Sequence, residues 1–338
     1  MRMKKILVDM TVDPERLKRL VQMPGVSVEI VPADASHDLF PEELARNKHI
    51  LFCRAPPQNL ADMDALEWIQ IASAGYAKLV NLGLPDKGIR ACNASGVFDS
   101  AIAEWNVAMM INLARDFRAM VRNQELRKWE RAPRFQREIR GSIAGLWGYG
   151  GMARETARLL KALGVRVHVL VRDMVKIRDR HYLIPGVGDR EGVLPDRTFV
   201  RGQELEFLSN LDFLIVAVPQ TNNTTGMIGE RELKALPRRA FLLNPARGPI
   251  VQEQALLAAL QEQWIAGAAL DTHYHYPMPP EHPLWAMPNV IMTPHISGSD
   301  GHPQYIERVW DILLQNVERS LAGSPLLNEL SASQLNGD

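Results

Sequence analysis

Runs of consecutive apolar residues, several of them β-branched, recur along the chain: KKILVD (4–9), VSVEIV (26–31), HILFCR (49–54), EWIQIAS (67–73), SIAGLWG (142–148), VRVHVLV (165–171), DFLIVAVP (212–219), AFLLNPA (240–246), AGAALDT (266–272) and VIMTP (290–294). Each predicts a strand, and continuous rather than alternating apolarity predicts that both sheet faces are covered. Between many of them the period changes to that of a helix, as in MARETARLLKALG (152–164) and VQEQALLAALQEQW (251–264). Alternating strands and helices predict βαβ units and parallel sheets. The longest helical stretch, residues 99–129, is predicted as one helix entered through the capping candidates Asp99 and Ser100, crossing between two groups of strands. A later amphipathic stretch, residues 303–323, would return the chain to the first group. Residues 178–197 are polar and rich in glycine and proline, and are predicted as a surface loop or insertion.

At 338 residues the chain exceeds the roughly 250–300 at which one core stops growing, so two domains are expected. Its 39 basic residues balance its 39 acidic ones, which argues against nucleic acid or an anionic membrane as partner. Cys53 and Cys92 are too few for a disulfide framework, and the basic start leads into one short strand rather than a signal-peptide core. A reducing cytoplasm is expected. Apolar runs fall short of the 18 or so residues of a membrane span.

The stretch SIAGLWGYGGMARETARLLKALGVRVHVLVRD reads as strand, glycine turn, helix and strand, with Gly148, Gly150 and Ala153 forming G-x-G-x-x-A. Gly148 suits the tight turn, Gly150 lets backbone amides approach a pyrophosphate, and Ala153 lets helix and strand pack closely; the helix N-terminus adds partial positive charge. An acid normally ends the second strand and accepts hydrogen bonds from the adenosine ribose. That position is Val171, followed at once by Arg172, whose guanidinium suits a 2′-phosphate. NADP is therefore favoured, with NAD possible if Asp173 takes the ribose.

Further on come FLLNPARGPIVQEQALLAAL, AGAALDTHYHYPMPPEHPLW and NVIMTPHISG. With the glycine motif, in this order and spacing, they resemble the D-isomer-specific 2-hydroxyacid dehydrogenases, the family of glyoxylate/hydroxypyruvate reductases, D-lactate dehydrogenases and phosphoglycerate dehydrogenases. The resemblance spans nearly the whole chain. It implies an α/β architecture of two Rossmann-like domains with parallel sheets: a discontinuous, flavodoxin-like substrate domain (residues 1–100 and 298–338), a Rossmann NAD(P)-binding domain (101–297), and an active site in the cleft. It also implies a homodimer formed through the nucleotide domain.

Reducing a 2-oxo acid by hydride needs a cation to hold the carboxylate and polarise the carbonyl, and an acid to protonate the developing alkoxide. Arg247, in NPARG, is the candidate cation. His295, in TPH, is the candidate acid, acting as base in reverse because imidazole titrates near neutrality. The resemblance adds the amides of Ala74 and Gly75, in ASAGYAK, as holders of the substrate carboxylate. It puts Val218, Pro219 and Thr224 at cofactor-contact positions, Gly151 and Met152 at the pyrophosphate turn, Pro245, Ala246 and Arg247 beside the nicotinamide, and Asp271 near its carboxamide.

One position departs from the family. Its members carry a glutamate paired with the catalytic histidine, five residues after the aspartate of the LD motif; here that residue is Tyr276. A carboxylate would raise the imidazole pKa, whereas a phenol offers only a hydrogen bond, so His295 is expected to titrate lower than in relatives. Glu281 is the alternative carboxylate. His273, His275 and His282 crowd the same stretch, but H-x-H plus a loop histidine is not a recognised zinc pattern and no metal is expected. They read as pocket wall, as do Trp105 and Trp285 unless these are packing residues. The resulting expectation is an oxidoreductase exchanging a hydride between NADP and a small 2-oxo or 2-hydroxy acid. Two alternatives stay open: a same-fold dehydrogenase with a specialised substrate, and a dinucleotide-binding regulator with weak catalysis.

Overall fold

Each apolar run of the sequence becomes a parallel strand in the computed structural model, which describes residues 3–337. The chain divides into two units: one holds the residues up to Phe98, Asp179–Ile184 and the chain from Asp300 onward, and the other holds Asp99–Arg178 and Pro185–Ser299.

In the first unit β1 (Lys4–Asp9), β2 (Val26–Ile30), β3 (Ile50–Cys53), β4 (Trp68–Ile71) and β5 (Arg90–Cys92) form a parallel sheet in the order β2-β1-β3-β4-β5. That is the flavodoxin-like order. Successive side chains point to opposite faces, so β1 and β3 send Ile6, Val8 and Phe52 to one core and Leu7 and Leu51 to the other. The helix Tyr305–Leu321 covers the first face, its Trp310 meeting Phe52 edge-on at 5.3 Å. Both faces of β3 and β4 are buried, which is why β3 is apolar throughout and β4 is apolar but for Gln70, whose amide is hydrogen-bonded to the Ile71 and Asn93 carbonyls.

The second unit has seven parallel strands: β6 (Ile143–Trp147), β7 (Arg166–Val171), β8 (Arg197–Val200), β9 (Phe213–Val216), β10 (Phe241–Asn244), β11 (Gly267–Leu270) and β12 (Val290–Met292). Their order is β12-β11-β10-β9-β6-β7-β8. This is the doubly wound Rossmann arrangement with one added strand, and the order reverses between β6 and β9. Ligands of such sheets bind at the carboxyl ends beside that reversal.

Three expectations change. The stretch 99–129 is two helices, Asp99–Arg115 and Phe117–Glu125, because Asp116 takes a left-handed backbone (φ 49°) that interrupts the hydrogen-bond ladder. β5 and β8 carried no apolar signal: β5 is three residues long, and β8 is a sheet edge with only Phe199 fully buried. The insertion 178–197 is not wholly a surface loop of the nucleotide domain, since Asp179–Ile184 belongs to the first unit. Tyr182 is buried in that unit's core, and its backbone amide donates to Asn328 Oδ1 at 3.1 Å. Among the described residues no helix is long and apolar enough to cross a membrane.

Candidate active site

Five strands of the second unit deliver the candidate residues at their carboxyl ends. Gly148 follows β6, Val218 and Pro219 follow β9, Arg247 follows β10, Asp271 follows β11 and His295 follows β12. Residues separated by up to 147 positions in sequence thus gather at one edge of one sheet, because parallel strands all end on the same side.

At the glycine turn, Gly148 has φ 101°, and a Cβ there would lie 2.5 Å from the Ala217 carbonyl oxygen, so no other residue fits. Gly151 opens the helix Gly151–Ala162, and a Cβ there would lie 1.9 Å from Asp99 Oδ2. Gly150 caps the helix, and a Cβ there would meet Arg178 Nη1 at 3.9 Å, ordinary contact. Met152 lies in the first turn, and Ala153 is buried against the sheet. An open cradle at a helix N-terminus fits the anionic pyrophosphate of a dinucleotide. Arg172 follows β7 and is exposed. Asp173 beside it is occupied locally: Oδ1 accepts from the Met174 amide at 2.9 Å and Oδ2 lies 3.5 Å from Lys176 Nζ. That amide and the lysine hold its carboxyl below the usual range. The Thr224 hydroxyl donates to the Pro219 carbonyl at 2.7 Å and accepts from the Thr221 amide at 2.8 Å, closing the loop after β9.

Arg247 is exposed, and the loop carrying it is fixed by Asn244, a residue the sequence reading passed over. Buried Asn244 accepts from the Ala246 amide at 3.1 Å and donates to the Arg247 carbonyl at 2.9 Å. The asparagine thereby clips both sides of the Pro245–Ala246 turn, and its position as the one polar residue ending an apolar strand was the signal available in sequence.

Asp271 is wholly buried and serves the loop that carries His295. Its Oδ1 accepts from the Thr293 hydroxyl (2.6 Å) and the Ile296 amide (2.9 Å), and its Oδ2 accepts from the Ser297 amide (3.0 Å) and hydroxyl. His295 between these anchors has φ 56°, a strained value for a non-glycine residue. The carboxylate holds the Thr293 side chain before the strain and the backbone amides after it. Trp105 Nε1 donates to Thr293 Oγ1 at 3.2 Å, so this tryptophan braces the same network rather than standing as a bare wall. The His295 imidazole is pushed below its ordinary pKa by burial first and by the neighbouring Arg247 guanidinium second, against the attraction of Asp271.

Tyr276 is 59% exposed, and its ring centre lies 5.6 Å from that of His295 with the planes inclined by 50°. Its hydroxyl accepts from the His273 amide at 3.0 Å. The phenol ring thus lies tilted beside the His295 imidazole, and its hydrogen bond goes elsewhere. Glu281 is exposed, and the carboxylate acting on His295 is that of Asp271. The three histidines separate: His273 is buried with Nε2 2.8 Å from the Thr293 carbonyl oxygen, His282 sits 2.8 Å from Glu253 Oε1, and His275 is exposed. Among the described residues no group of three or more histidine, cysteine or acidic side chains is arranged to hold a metal ion. Trp285 is half-exposed and donates to the Pro279 carbonyl at 2.9 Å. In the first unit, Ala74 and Gly75 follow β4 on a loop whose carbonyls are tied down by Asn93 Nδ2 (2.8 Å) and the Ser73 hydroxyl (2.6 Å).

Residues 107–297 match the model of the NAD-binding domain of D-isomer-specific 2-hydroxyacid dehydrogenases. The glyoxylate reductase of Thermofilum pendens is 31% identical over 322 residues, covering 90% of each chain. The glycerate dehydrogenase of Methylorubrum extorquens is 28% identical over 274 residues, covering 79% of each. Among solved structures, the D-isomer-specific 2-hydroxyacid dehydrogenase of Xanthobacter autotrophicus Py2, in complex with NADPH and MES, superimposes with a TM-score of 0.78 at 25% identity over 99% of both chains. The chain belongs to the D-isomer-specific 2-hydroxyacid dehydrogenase family and is a nicotinamide-dependent oxidoreductase of 2-hydroxy and 2-oxo acids.

Proposed function

We propose that the protein is an NADP-preferring reductase of a small 2-oxo acid such as glyoxylate or hydroxypyruvate. The observation that carries the reading is the joint delivery of Arg247 and His295 from the carboxyl ends of β10 and β12, the strands on either side of β11 in one nucleotide-binding sheet. When bound, the nicotinamide supplies the hydride for C2 of the oxo acid. Arg247, with its exposed guanidinium, binds the substrate carboxylate and polarises the C2 carbonyl, assisted by the amides of Ala74 and Gly75. His295 gives its proton to the C2 oxygen as charge develops there, and takes it back in the oxidative direction. Val218, Pro219, Thr224, Pro245 and Ala246 border the cofactor, and Asp271 acts chiefly through the His295 loop.

The preference for NADP is supported by exposed Arg172 and by Asp173, whose carboxylate is already engaged with the Met174 amide and Lys176. Substrate size is supported by the names of the similar glyoxylate reductase and glycerate dehydrogenase. A cytoplasmic setting is supported by two buried, unbridged cysteines. A homodimer is supported by apolar side chains left exposed on and after the helix Phe117–Glu125, namely Phe117, Val121, Leu126 and Trp129.

Initial rates with NADPH and with NADH against a panel of 2-oxo acids test the proposal. The expected result is turnover of glyoxylate or hydroxypyruvate with kcat/KM higher for NADPH. Binding of both dinucleotides without turnover of any acid would favour the regulator instead.

A further inference from the structure

Arg178 carries an unusual burden. Its Nε and Nη2 are buried without a hydrogen-bond partner, while its Nη1 lies 3.9 Å from where a Cβ of Gly150 would stand. A guanidinium is rarely left so, because buried donors without an acceptor are costly. Burial holds its pKa below the ordinary arginine value, the Arg154 charge acts in the same direction, and the Asp99 carboxylate opposes both.

The surrounding segment is built to keep Arg178 there. Arg154, buried on the Gly151–Ala162 helix, donates to the backbone carbonyls of Tyr149, Lys176, Asp189 and Arg190. Asp189 accepts from the Tyr149 hydroxyl at 2.6 Å and from the amides of Gly192, Val193 and Leu194. Glu155 accepts from the Gly188 amide at 2.6 Å, and the Arg178 amide donates to the Arg190 carbonyl at 3.1 Å. Tyr149 belongs to the glycine turn, so the insertion is stapled to the turn itself. Asp99, whose carboxylate presses on Gly151, adds negative charge at this helix start, where a positive environment is needed to hold an anion.

We infer that Arg178 is a cofactor-binding residue contributed by the insertion: it offsets the Asp99 carboxylate and donates from Nη1, which lies 3.9 Å from where a Cβ of Gly150 would stand, to the dinucleotide pyrophosphate at that turn. The inference rests on the dinucleotide-binding reading of that turn. It assigns a purpose to residues 178–197 that their sequence did not show, and it separates pyrophosphate recognition by Arg178 from 2′-phosphate recognition by Arg172.

Isothermal titration calorimetry of the full chain with ADP-ribose, and with adenosine 2′-monophosphate, which carries no 5′-phosphate, tests it without recourse to activity. Arg178→Gln should weaken ADP-ribose by about tenfold or more, as loss of charge-assisted hydrogen bonds would. It should leave the 2′-monophosphate within about twofold of wild type, a margin of a few tenths of a kcal/mol. An unchanged ADP-ribose affinity, or equal weakening of both probes, overturns the inference. Adding Asp99→Asn to Arg178→Gln should leave ADP-ribose weak; full recovery would reduce Arg178 to a counter-charge and contradict direct donation. If Arg178→Gln does not fold, Arg178→Lys decides, with severalfold weakening of ADP-ribose expected from loss of the planar fork and unchanged affinity contradicting it. Wild-type protein that binds neither ADP-ribose nor NADPH would instead sink the dinucleotide reading itself.

Discussion

At His295, burial and the nearby Arg247 guanidinium both favour the neutral imidazole, and Asp271 opposes them. Reduction of an oxo acid needs the protonated form, so its kcat/KM should fall as pH rises through a midpoint below the ordinary histidine value of about 6.5, and oxidation of the hydroxy acid should rise over the same interval. Tyr276→Glu places a carboxylate where the phenol now contacts the ring, and should move both profiles to higher pH by about one unit. Tyr276→Phe should leave them in place, because the lost hydroxyl serves the His273 amide. Initial rates across pH check both variants, and a Glu variant with an unmoved midpoint would show that Tyr276 does not tune His295. Arg247→Ala should lower kcat/KM for reduction by roughly a thousandfold, the scale of losing a principal electrostatic contact to the reacting carbonyl.

At the level of elements, the loop after β12 depends on a side chain from the end of β11. Asp271→Ala would strand two hydroxyls and two amides that now reach its carboxylate, and should cost about 3 kcal/mol or more, read as a fall in thermal midpoint together with lost turnover. At the helix start, Gly151→Ala drives a methyl into Asp99, so the single variant should lose stability and the Asp99→Ala/Gly151→Ala double variant should recover much of it. What was legible in sequence follows from what each element needs. β3 and β9 are buried on both faces and had to be apolar throughout, and the glycine turn had to spell out Gly148 and Gly151 because Cβ atoms would collide there. Arg247 and His295 were legible because their chemistry is tied to short motifs after strands. Asn244, Arg154 and Asp189 were not, because their importance lies in hydrogen bonds to backbone brought near only by folding. The break at Asp116 escaped for the same reason: one left-handed residue interrupts helical periodicity without altering the apolar pattern.

Across the whole molecule, two parallel-sheet units share one chain that leaves the first, builds the second and returns through the helix Tyr305–Leu321. Apolar side chains of the second unit remain uncovered, Trp129 at 91% exposure and Leu126 at 75%. If they form the proposed homodimer contact, light scattering should report a dimer for the wild type and a monomer for Leu126→Asp/Trp129→Asp; an unchanged mass in the variant would place any dimer contact elsewhere. The assignment as a D-specific reductase turns on the product more than on any one affinity. Incubation with NADPH and hydroxypyruvate, followed by chiral analysis of the glycerate formed, tests it most directly. The account predicts one D-glycerate per NADPH consumed, with formation abolished in His295→Gln. Formation of the L-enantiomer, or undiminished turnover in that variant, would contradict it.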